Sequence, residues 1–229
     1  MAAWRVPSMW QDSECWIIGG GPSLTDVFQI PDQVVKKVRN GDSPALYSDY
    51  MKQIHDKHII GINMAYRIGA WMDMIYFGDK SFFDKVKYDL IDYPGLIVTS
   101  SDKRAINDKT IPGVKQLQRM PKKWTLGIAE KNNAVCWNHN SGAAAISIAA
   151  HTGVKRIILI GFDMTMDSDA NRHWHFLYGE KVKPPPYPTH LLGFPVIAKQ
   201  AKERGIEILN CSTNTAIKSF KIVKLEDVL

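Results

Sequence analysis

The stretch Cys15-Trp16-Ile17-Ile18-Gly19-Gly20-Gly21-Pro22-Ser23-Leu24 decides the fold of this chain. Its apolar run predicts a buried β-strand, and the glycines, proline and serine that follow predict a sharp turn toward a helix. This order is typical of the first strand of an open α/β sheet. Phosphate groups bind at such turns, because glycines let the backbone approach closely and backbone N–H groups point at the anion. We therefore expect nucleotide-binding residues at Gly19, Gly20, Gly21, Pro22 and Ser23.

The turn matches neither of two common phosphate-binding motifs. Gly19-x-Gly21 begins the dinucleotide fingerprint, but Leu24 stands where the third glycine of that motif belongs. The Lys-Ser/Thr pair of a P-loop is missing as well. A standard NAD site and a standard ATPase site are therefore excluded, while a turn that binds no ligand stays an alternative.

The composition is that of an ordinary globular protein and excludes several other classes. The 229 residues are 45% hydrophobic and 23% charged, which suits one α/β domain over residues 1–229. No apolar run approaches the length of a membrane span, so we expect none. The three cysteines, Cys15, Cys136 and Cys211, are far apart and form no C-x-x-C pair. A disulfide framework or a zinc site is therefore not expected, and the cytoplasm is the predicted location.

The net charge favours an anionic partner. The formal charge is +6 and the isoelectric point is near 9.1, which suits a nucleotide, a nucleic acid such as DNA, or an acidic glycan. A basic surface without a partner is an equal alternative, because the charges are dispersed and form no long basic arm. The oligomeric state does not follow from the sequence.

Strand and helix patterns alternate along the chain. Short continuous apolar runs predict strands that are buried on both faces, as in a parallel sheet. Helical patterns lie between them, with Ser81 as a predicted N-cap and Gly205 just after the last helix. The alternation predicts a Rossmann-like, doubly wound α/β fold, with a mostly parallel sheet and helices on both faces. Strands are expected at 15–20, 58–63, 74–78, 95–99, 156–161 and 206–210, and helices at 81–92, 141–151 and 194–204.

Two regions do not fit this alternation. Residues 101–138 carry several basic side chains and two prolines and show no clear element. Residues 165–193 predict a long loop that is rich in proline and contains three histidines. Loops of that length in compact domains are commonly functional. Because this loop follows a strand that ends near Asp163, it should lie over the carboxyl edge of the sheet, where open α/β sheets bind ligands.

Polar residues at several strand ends should meet at this same edge. Asn63 directly follows one strand, and Asp79 follows the next one along the chain. Asn140, Ser141 and Gly142 open a predicted helix, whose N-terminus attracts negative charge. Asn63, Asp79 and Ser141 each have an ordinary alternative as a helix N-cap. Together with the glycine turn, these residues predict a nucleotide crevice.

Carboxylates and imidazoles supply the candidate reactive groups. Asp163 ends a strand and could hold Mg²⁺, whereas Asp167 and Asp169 fit a solvated turn better. His173 and His175 would project to one face if their segment were a strand. With no obvious third ligand, a general base is a more economical role than a metal pair, because imidazole titrates near neutral pH. The candidates for the catalytic base are His173, His175 and His190.

Taken in order, the motifs resemble two related families. One is the MptE-like group, named for an archaeal 6-hydroxymethylpterin pyrophosphokinase and common in bacterial and phage proteins. The other is the small bacterial sialyltransferase family that uses CMP-sialic acid. The resemblance spans about residues 15–215 and implies a Rossmann-like fold. The matching motifs are Ile17-Ile18-Gly19-Gly20-Gly21-Pro22-Ser23-Leu24, Asn63, Tyr76-Phe77-Gly78-Asp79, Asn140-Ser141-Gly142-Ala143-Ala144 and Ile158-Leu159-Ile160-Gly161-Phe162-Asp163.

The resemblance to the sialyltransferases implies roles for single residues. His190 is the closest positional match to the catalytic histidine of that family, with His173 and His175 behind it. Asp79 stands where the family has an asparagine. The nucleotide contacts that the resemblance implies are Gly19, Gly21, Pro22, Ser23, Asn63, Ser141 and Gly142.

Two positions depart from the sialyltransferase pattern. Asn138 stands where the family has an arginine, and Thr165 stands where it has a tyrosine. In that family these groups assist the departing phosphate. The residues that could supply such contacts here are Tyr178, Tyr187, Arg172 and Lys181.

The expected function is that of a nucleotide-dependent transferase, with a glycosyltransferase favoured. Its donor would be a nucleotide-activated sugar and its acceptor a small molecule or a glycan, with an anionic acceptor such as DNA also open. His190 or His175 would deprotonate the acceptor hydroxyl. A Mg-ATP-dependent pyrophosphokinase, with Asp79 and Asp163 on the metal, is the first alternative. A non-catalytic nucleotide-binding protein, such as one encoded by a phage, is the second.

Overall fold

The structure, a computed structural model, describes residues 4–101, 111, 113–121, 125–178 and 185–229. In these ranges most strands join one parallel sheet, and β6 and β7 form a separate parallel pair. The strands are β1 (Glu14–Ile18), β2 (His58–Ile62), β3 (Met74–Phe77), β4 (Leu96–Thr99), β5 (Lys115–Gln116), β6 (Gln118–Arg119), β7 (Ala134–Val135), β8 (Arg156–Ile160), β9 (Glu207–Asn210) and β10 (Lys221–Ile222). The order in the large sheet is β10-β9-β8-β1-β2-β3-β4-β5.

The predicted doubly wound α/β fold is confirmed. All six predicted strands are present, each within two residues of its expected bounds. Strand β1 lies inside the sheet, where Trp16 pairs with Ile59 of β2 and with Ile158 of β8. Strands β5, β6, β7 and β10 were not predicted, because two residues are too few to show a periodic pattern.

The helices agree with the predictions where the apolar pattern is long. Helix α4 has the predicted bounds, and α6 begins and ends one residue early, before Gly205 with its positive φ of 68°. The prediction for 81–92 was wrong in detail, since the N-cap is Asp79, not Ser81. The α-helices are α1 (Leu24–Val27), α2 (Asp32–Arg39), α3 (Lys80–Val86), α4 (Ser141–His151), α5 (Tyr187–Leu191) and α6 (Gly193–Glu203), and 3₁₀ turns occur at Pro44–Ile54, Asn63–Arg67, Lys87–Leu90 and Leu225–Asp227.

Two apolar layers cover the sheet. Along β1, Trp16 and Ile18 face one layer, whereas Cys15 and Ile17 face the other. This alternation follows from the pleat of a strand. Helix α4 lies in the second layer, and its residues from Gly142 to Ala149 are all buried. Its small side chains let the helix pack closely on the sheet, which places its first turn at the carboxyl edge of β1.

Asn138 fixes the chain just before α4. Its side chain is fully buried, donates to the carbonyls of Gly127 at 2.9 Å and Cys136 at 3.0 Å, and accepts from the N–H of Gly127 at 2.7 Å. Its φ of 53° lies in the left-handed region, which asparagine tolerates better than most residues. The position where the sialyltransferases have an arginine is therefore a structural position in this chain.

We expect Asn138→Ala to lower the free energy of unfolding by about 2–3 kcal/mol, because it leaves the buried polar groups of Gly127 without partners. Urea denaturation measures this change. The control is Asn40→Ala at the exposed end of α2, with an expected loss of about 0.5 kcal/mol or less. Equal losses in the two variants would contradict the structural role of Asn138.

Candidate functional site

A cleft of about 980 Å³ opens at the carboxyl edge of the sheet. Its walls come from the turns after β1, β2 and β3, from the first turn of α4, from the segment after β8, and from α5. Pro22 and Ser23 do not line the cleft and are buried behind its wall. The predicted site residues that do line it are Gly19, Gly20, Gly21, Asn63, Asp79, Asn140, Ser141, Gly142, Asp163, His173, His175 and His190.

The glycine turn is packed against the segment after β8. A Cβ on Gly19 would lie 2.6 Å from the carbonyl oxygen of Gly161, and one on Gly21 would lie 2.7 Å from the same oxygen. A Cβ on Gly20 would lie 3.1 Å from Nδ1 of His173. Close packing therefore requires glycine at positions 19 and 21, whereas a side chain at Gly20 would need His173 to shift.

Most backbone N–H groups of this turn donate hydrogen bonds to acceptors within the protein. The N–H of Gly19 donates to Ile160 at 2.8 Å, and that of Gly21 donates to Gly161 at 2.9 Å. Of the three N–H groups of the turn glycines, that of Gly20 has no acceptor among the described residues and can donate to a ligand. The expected cradle of several amides around a phosphate is thus reduced to one donor.

Trp174 holds the predicted loop onto the glycine turn. Its side chain is fully buried, its Nε1 donates to the carbonyl of Gly19 at 3.0 Å, and its N–H donates to Gly20 at 3.1 Å. The hydroxyl of Tyr47 donates to the carbonyl of Trp174 at 3.3 Å. These bonds fix the segment after β8 as a wall of the cleft.

His173 and His175 lie on either side of this anchor. Their segment is not a strand, contrary to the conditional prediction, yet both rings line the cleft and stack on each other with centroids 5.2 Å apart. Nδ1 of His173 lies 3.3 Å from the carbonyl of Gly20. Nδ1 of His175 accepts from the N–H of Leu177 at 3.2 Å, and Tyr178 packs edge-on against both rings. These histidines are therefore part of a packed wall.

His190 reaches the cleft from a short helix. The sequence predicted a loop over 165–193, but α5 carries His190 in its last turn. The pKa of His190 is lowered, first by burial and then by the positive charge of His139. A lowered pKa favours the neutral imidazole at neutral pH, which is the form that a general base requires.

His139 was missed in the sequence. It lines the cleft, is exposed, and adopts a left-handed φ of 54° two residues before Ser141. The sequence signal was its position two residues before the predicted helix start at Ser141.

The first turn of α4 faces the cleft. The side chain of Asn140 accepts from the N–H of Ala143 at 3.1 Å, so Asn140 is the N-cap and Ser141 is not. The N–H groups of Ser141 and Gly142 belong to the first turn of an 11-residue helix, where the helix dipole favours an anion. A Cβ on Gly142 would lie 2.8 Å from Phe162, so this position requires glycine for close packing.

Asp163 does not fit a magnesium site. Its side chain is 1% exposed and accepts from both the N–H of Ser23, at 2.9 Å, and the hydroxyl of Ser23. Burial raises its pKa to about 6, although the bonds from Ser23 and Ser212 oppose this rise. Within the described ranges, no three His, Cys, Asp or Glu side chains converge as ligands. Its carboxylate instead joins the turn after β1 to the segment after β8.

Asp167 organises a turn, as the sequence favoured. It accepts from the backbone and side chain of Asn171, at 2.8 Å and 3.0 Å for Oδ1, and it pairs with Arg39 at 3.1 Å. These partners lower its pKa, although burial opposes them. Asp169 is exposed in the same turn.

Asn63 and Asp79 both line the cleft and carry side-chain oxygen atoms. Asn63 follows β2 with a left-handed φ of 51°, and its buried Oδ1 has no hydrogen-bond partner within the described part of the chain. Asp79 is exposed, and its side chain makes no cap hydrogen bond to α3. Asp79 can therefore accept hydrogen bonds from a ligand, whereas Asn63 holds a buried, unpaired acceptor beside the cleft.

Several groups near the cleft suit an anionic ligand. Lys85, Arg172, Tyr178 and Tyr187 line it, together with Thr165. Lys181 lies outside the described residues.

Solved glycosyltransferases share this architecture. No protein-family model matches the chain, and no curated protein matches it in sequence. A MAf glycosyltransferase from Magnetospirillum magneticum AMB-1 aligns over 99% of this chain with a TM-score of 0.61 and 13% identity. The chain spans only 36% of the length of that protein. The chain has the fold of a glycosyltransferase.

Two sialyltransferases from Campylobacter jejuni are similar over most of their length. The monofunctional alpha-2,3-sialyltransferase Cst-I aligns over 93% of this chain and 81% of its own, with a TM-score of 0.55 and 13% identity. CstII, solved with the substrate analogue cytidine-5'-monophosphate, aligns over 93% and 86%, with a TM-score of 0.51 and 14% identity. These likenesses establish the predicted relation in fold to the sialyltransferases, while the MptE-like grouping stays a prediction. In the described ranges, every helix is too short or too polar to cross a bilayer.

We expect the stability of the protein to fall as Asp163 ionises. The pKa of Asp163 is about 6 in the folded protein, above its ordinary value of 3.8. The protonated side chain therefore stabilises the fold fully below about pH 4, and this stabilisation is lost as the pH rises through 6. In Asp163→Asn this position does not titrate, because a neutral amide stands in place of the carboxyl group. Urea denaturation should show that the wild type loses about 2–3 kcal/mol relative to this variant between pH 4 and pH 7.

The matched control for this pH series is Asp167→Asn, in the same segment. The pKa of Asp167 is lowered, so there the wild type should gain stability relative to the variant as the pH rises through the acid range. A difference between wild type and Asp163→Asn that does not change with pH would contradict the burial of a titrating carboxyl.

We expect His139→Gln to raise the pKa of His190, because the substitution removes a positive charge that disfavours the imidazolium. Burial stays, so the pKa should remain below its ordinary value. NMR titration of the imidazole resonances measures this change. His55→Gln, at the amino-end edge of the sheet before β2, should leave the titration of His190 unchanged, and an unchanged titration in His139→Gln would show that the two rings do not interact.

Proposed function

We propose that this chain is a glycosyltransferase that moves a sugar from a nucleotide-activated donor to an acceptor hydroxyl. One observation carries the proposal: the cleft joins the first turn of α4, the orphan oxygen of Asn63 and the imidazole of His190, in a fold shared with glycosyltransferases. One of these relatives in fold was solved with cytidine-5'-monophosphate.

The donor phosphate would bind at the start of α4. The N–H groups of Ser141 and Gly142 and the hydroxyl of Ser141 supply donors there, and the helix dipole adds a favourable field. The N–H of Gly20 is a further donor in the same cleft. The base or ribose would lie near Asn63 and Asp79, whose oxygens accept hydrogen bonds. The glycine turn then shapes the wall of the site and supplies one amide.

His190 would act as the general base. Its imidazole takes the proton from the acceptor hydroxyl, the oxygen attacks the anomeric carbon, and the bond from that carbon to the phosphate oxygen breaks. The nucleotide leaves with the bonding electron pair. Arg172 and Tyr187 line the same cleft and would stabilise the negative charge that develops on the phosphate.

The pyrophosphokinase alternative is less well supported. It needs Asp163 as a magnesium ligand, and both oxygens of that side chain already accept hydrogen bonds from Ser23. The acceptor is proposed to be a small molecule or a glycan. A DNA acceptor, a cytoplasmic location and a phage origin stay predictions from charge, cysteine content and resemblance.

Binding of nucleotides is tested by thermal denaturation with CMP, UDP, GDP and ATP, each with and without Mg²⁺. A ligand that binds the folded state alone raises the melting temperature. We expect stabilisation by a pyrimidine nucleotide without added metal. Stabilisation by ATP that needs Mg²⁺ would support the kinase, and no response to any nucleotide would contradict a nucleotide-dependent enzyme.

The role of His190 is tested with His190→Ala. We expect a loss of about 100-fold or more in the release of nucleotide from sugar donors, because the variant lacks the base, while the nucleotide still raises the melting temperature. His55→Ala is the matched control, since that histidine also has a pKa lowered by burial but lies far from the cleft edge. Turnover equal to that of the control would remove His190 from the reaction.

A further inference from the structure

The indole of Trp137 forms part of the cleft wall and is only half-buried. The guanidinium carbon of Arg119 lies over one face of this ring, 3.9 Å from its centroid. Arg119 itself is not among the described residues that line the cleft. Arg119 thus covers one face of a ring that lines the cleft, so the opposite face is the one that a ligand could contact.

Arg119 is fixed behind the ring. One of its terminal nitrogens donates to the carbonyl of Gly78, and its Nε donates to the hydroxyl of Ser100 at 3.4 Å. The same hydroxyl lies 2.7 Å from that of the buried Tyr76. The attraction between a cation and an aromatic face stabilises this arrangement of the two side chains. The cleft thus has a flat aromatic surface whose orientation is set before any ligand binds.

This surface adjoins the proposed phosphate site. A Cβ on Gly78 would clash with the edge of the indole and would lie 3.2 Å from the Ser141 hydroxyl oxygen. Trp137 and Ser141 therefore both lie against the same glycine, which has no side chain to separate them. A ligand bound at the start of α4 is within reach of the indole.

We propose that Trp137 is the platform on which the base of the donor nucleotide stacks, a role that rests on the function proposed above. Every nucleobase presents a flat face that can stack on an aromatic ring. Asp79 lies in the same cleft and is exposed, so its carboxylate can accept from the N–H groups at the base edge, and Asn63 lines the cleft as well. A single nucleotide can reach from the phosphate site to the indole, because Ser141 and Trp137 both lie against Gly78. We therefore assign this surface to the base and not to the acceptor.

The test measures the binding of CMP, UMP, AMP and GMP by calorimetry, with ribose 5-phosphate as the probe that lacks a base. The wild type should bind the tightest of the four nucleotides at least about tenfold better than ribose 5-phosphate. Trp137→Leu should lose most of this preference and bind ribose 5-phosphate as before. Trp71→Leu, a half-buried tryptophan near the opposite edge of the sheet, should behave like the wild type.

Trp137→Phe gives a second test, in which an aromatic ring remains at this position. Phenylalanine keeps a stacking face but not the indole fluorescence. The nucleotide should quench the fluorescence of the wild type, whereas Trp137→Phe should retain most of the affinity and lose most of the quenching.

The outcomes separate the two proposals. If the wild type binds neither nucleotides nor ribose 5-phosphate, the proposed function fails and this inference fails with it. If nucleotides bind but Trp137→Leu binds them as the wild type does, or weakens both kinds of probe equally, the proposed function stands and the stacking role is overturned. Quenching in Trp137→Phe equal to that of the wild type overturns it as well.

Discussion

The buried bond between Asp163 and Ser23 is the constraint on which the site depends. It ties the turn after β1 to the segment after β8, and Trp174 adds two bonds from that segment to the carbonyls of Gly19 and Gly20. A buried carboxylate without such partners would be costly, because it loses its hydration. The two neighbouring strand ends are thereby joined, and the cleft beside them has a fixed wall.

The cleft has two sides that differ in the number of polar groups available to a ligand. On the β1 and β8 side, backbone groups are mostly engaged with each other, and residues such as His173 and His175 pack together. On the side of α4, the first helical turn presents N–H groups, and Asn63 contains a buried oxygen that lacks a partner among the described residues. The groups that can hydrogen-bond to a ligand therefore lie mainly between the end of β2 and the start of α4. The glycine turn, from which the sequence predicts the site, follows the neighbouring strand β1.

The sheet could be predicted from the sequence because buried parallel strands are continuous apolar runs, as in Arg156–Ile160. The position of the cleft followed, since strand ends meet at one edge. Single-residue roles did not follow, because they depend on contacts between distant segments. Trp174 lies between two histidines in the sequence, yet its indole reaches Gly19, 155 positions away. Likewise, nothing local shows that Arg119 backs Trp137.

The central claim is that a nucleotide binds at the carboxyl edge with its phosphate at the start of α4. The most direct measurement follows the backbone amide resonances of ¹⁵N-labelled protein while CMP is added. The claim predicts that the amides of Gly20, Ser141 and Gly142 shift together and saturate, while that of Gly153, just past the other end of α4, stays in place. Saturable shifts that leave these three amides unchanged would contradict it.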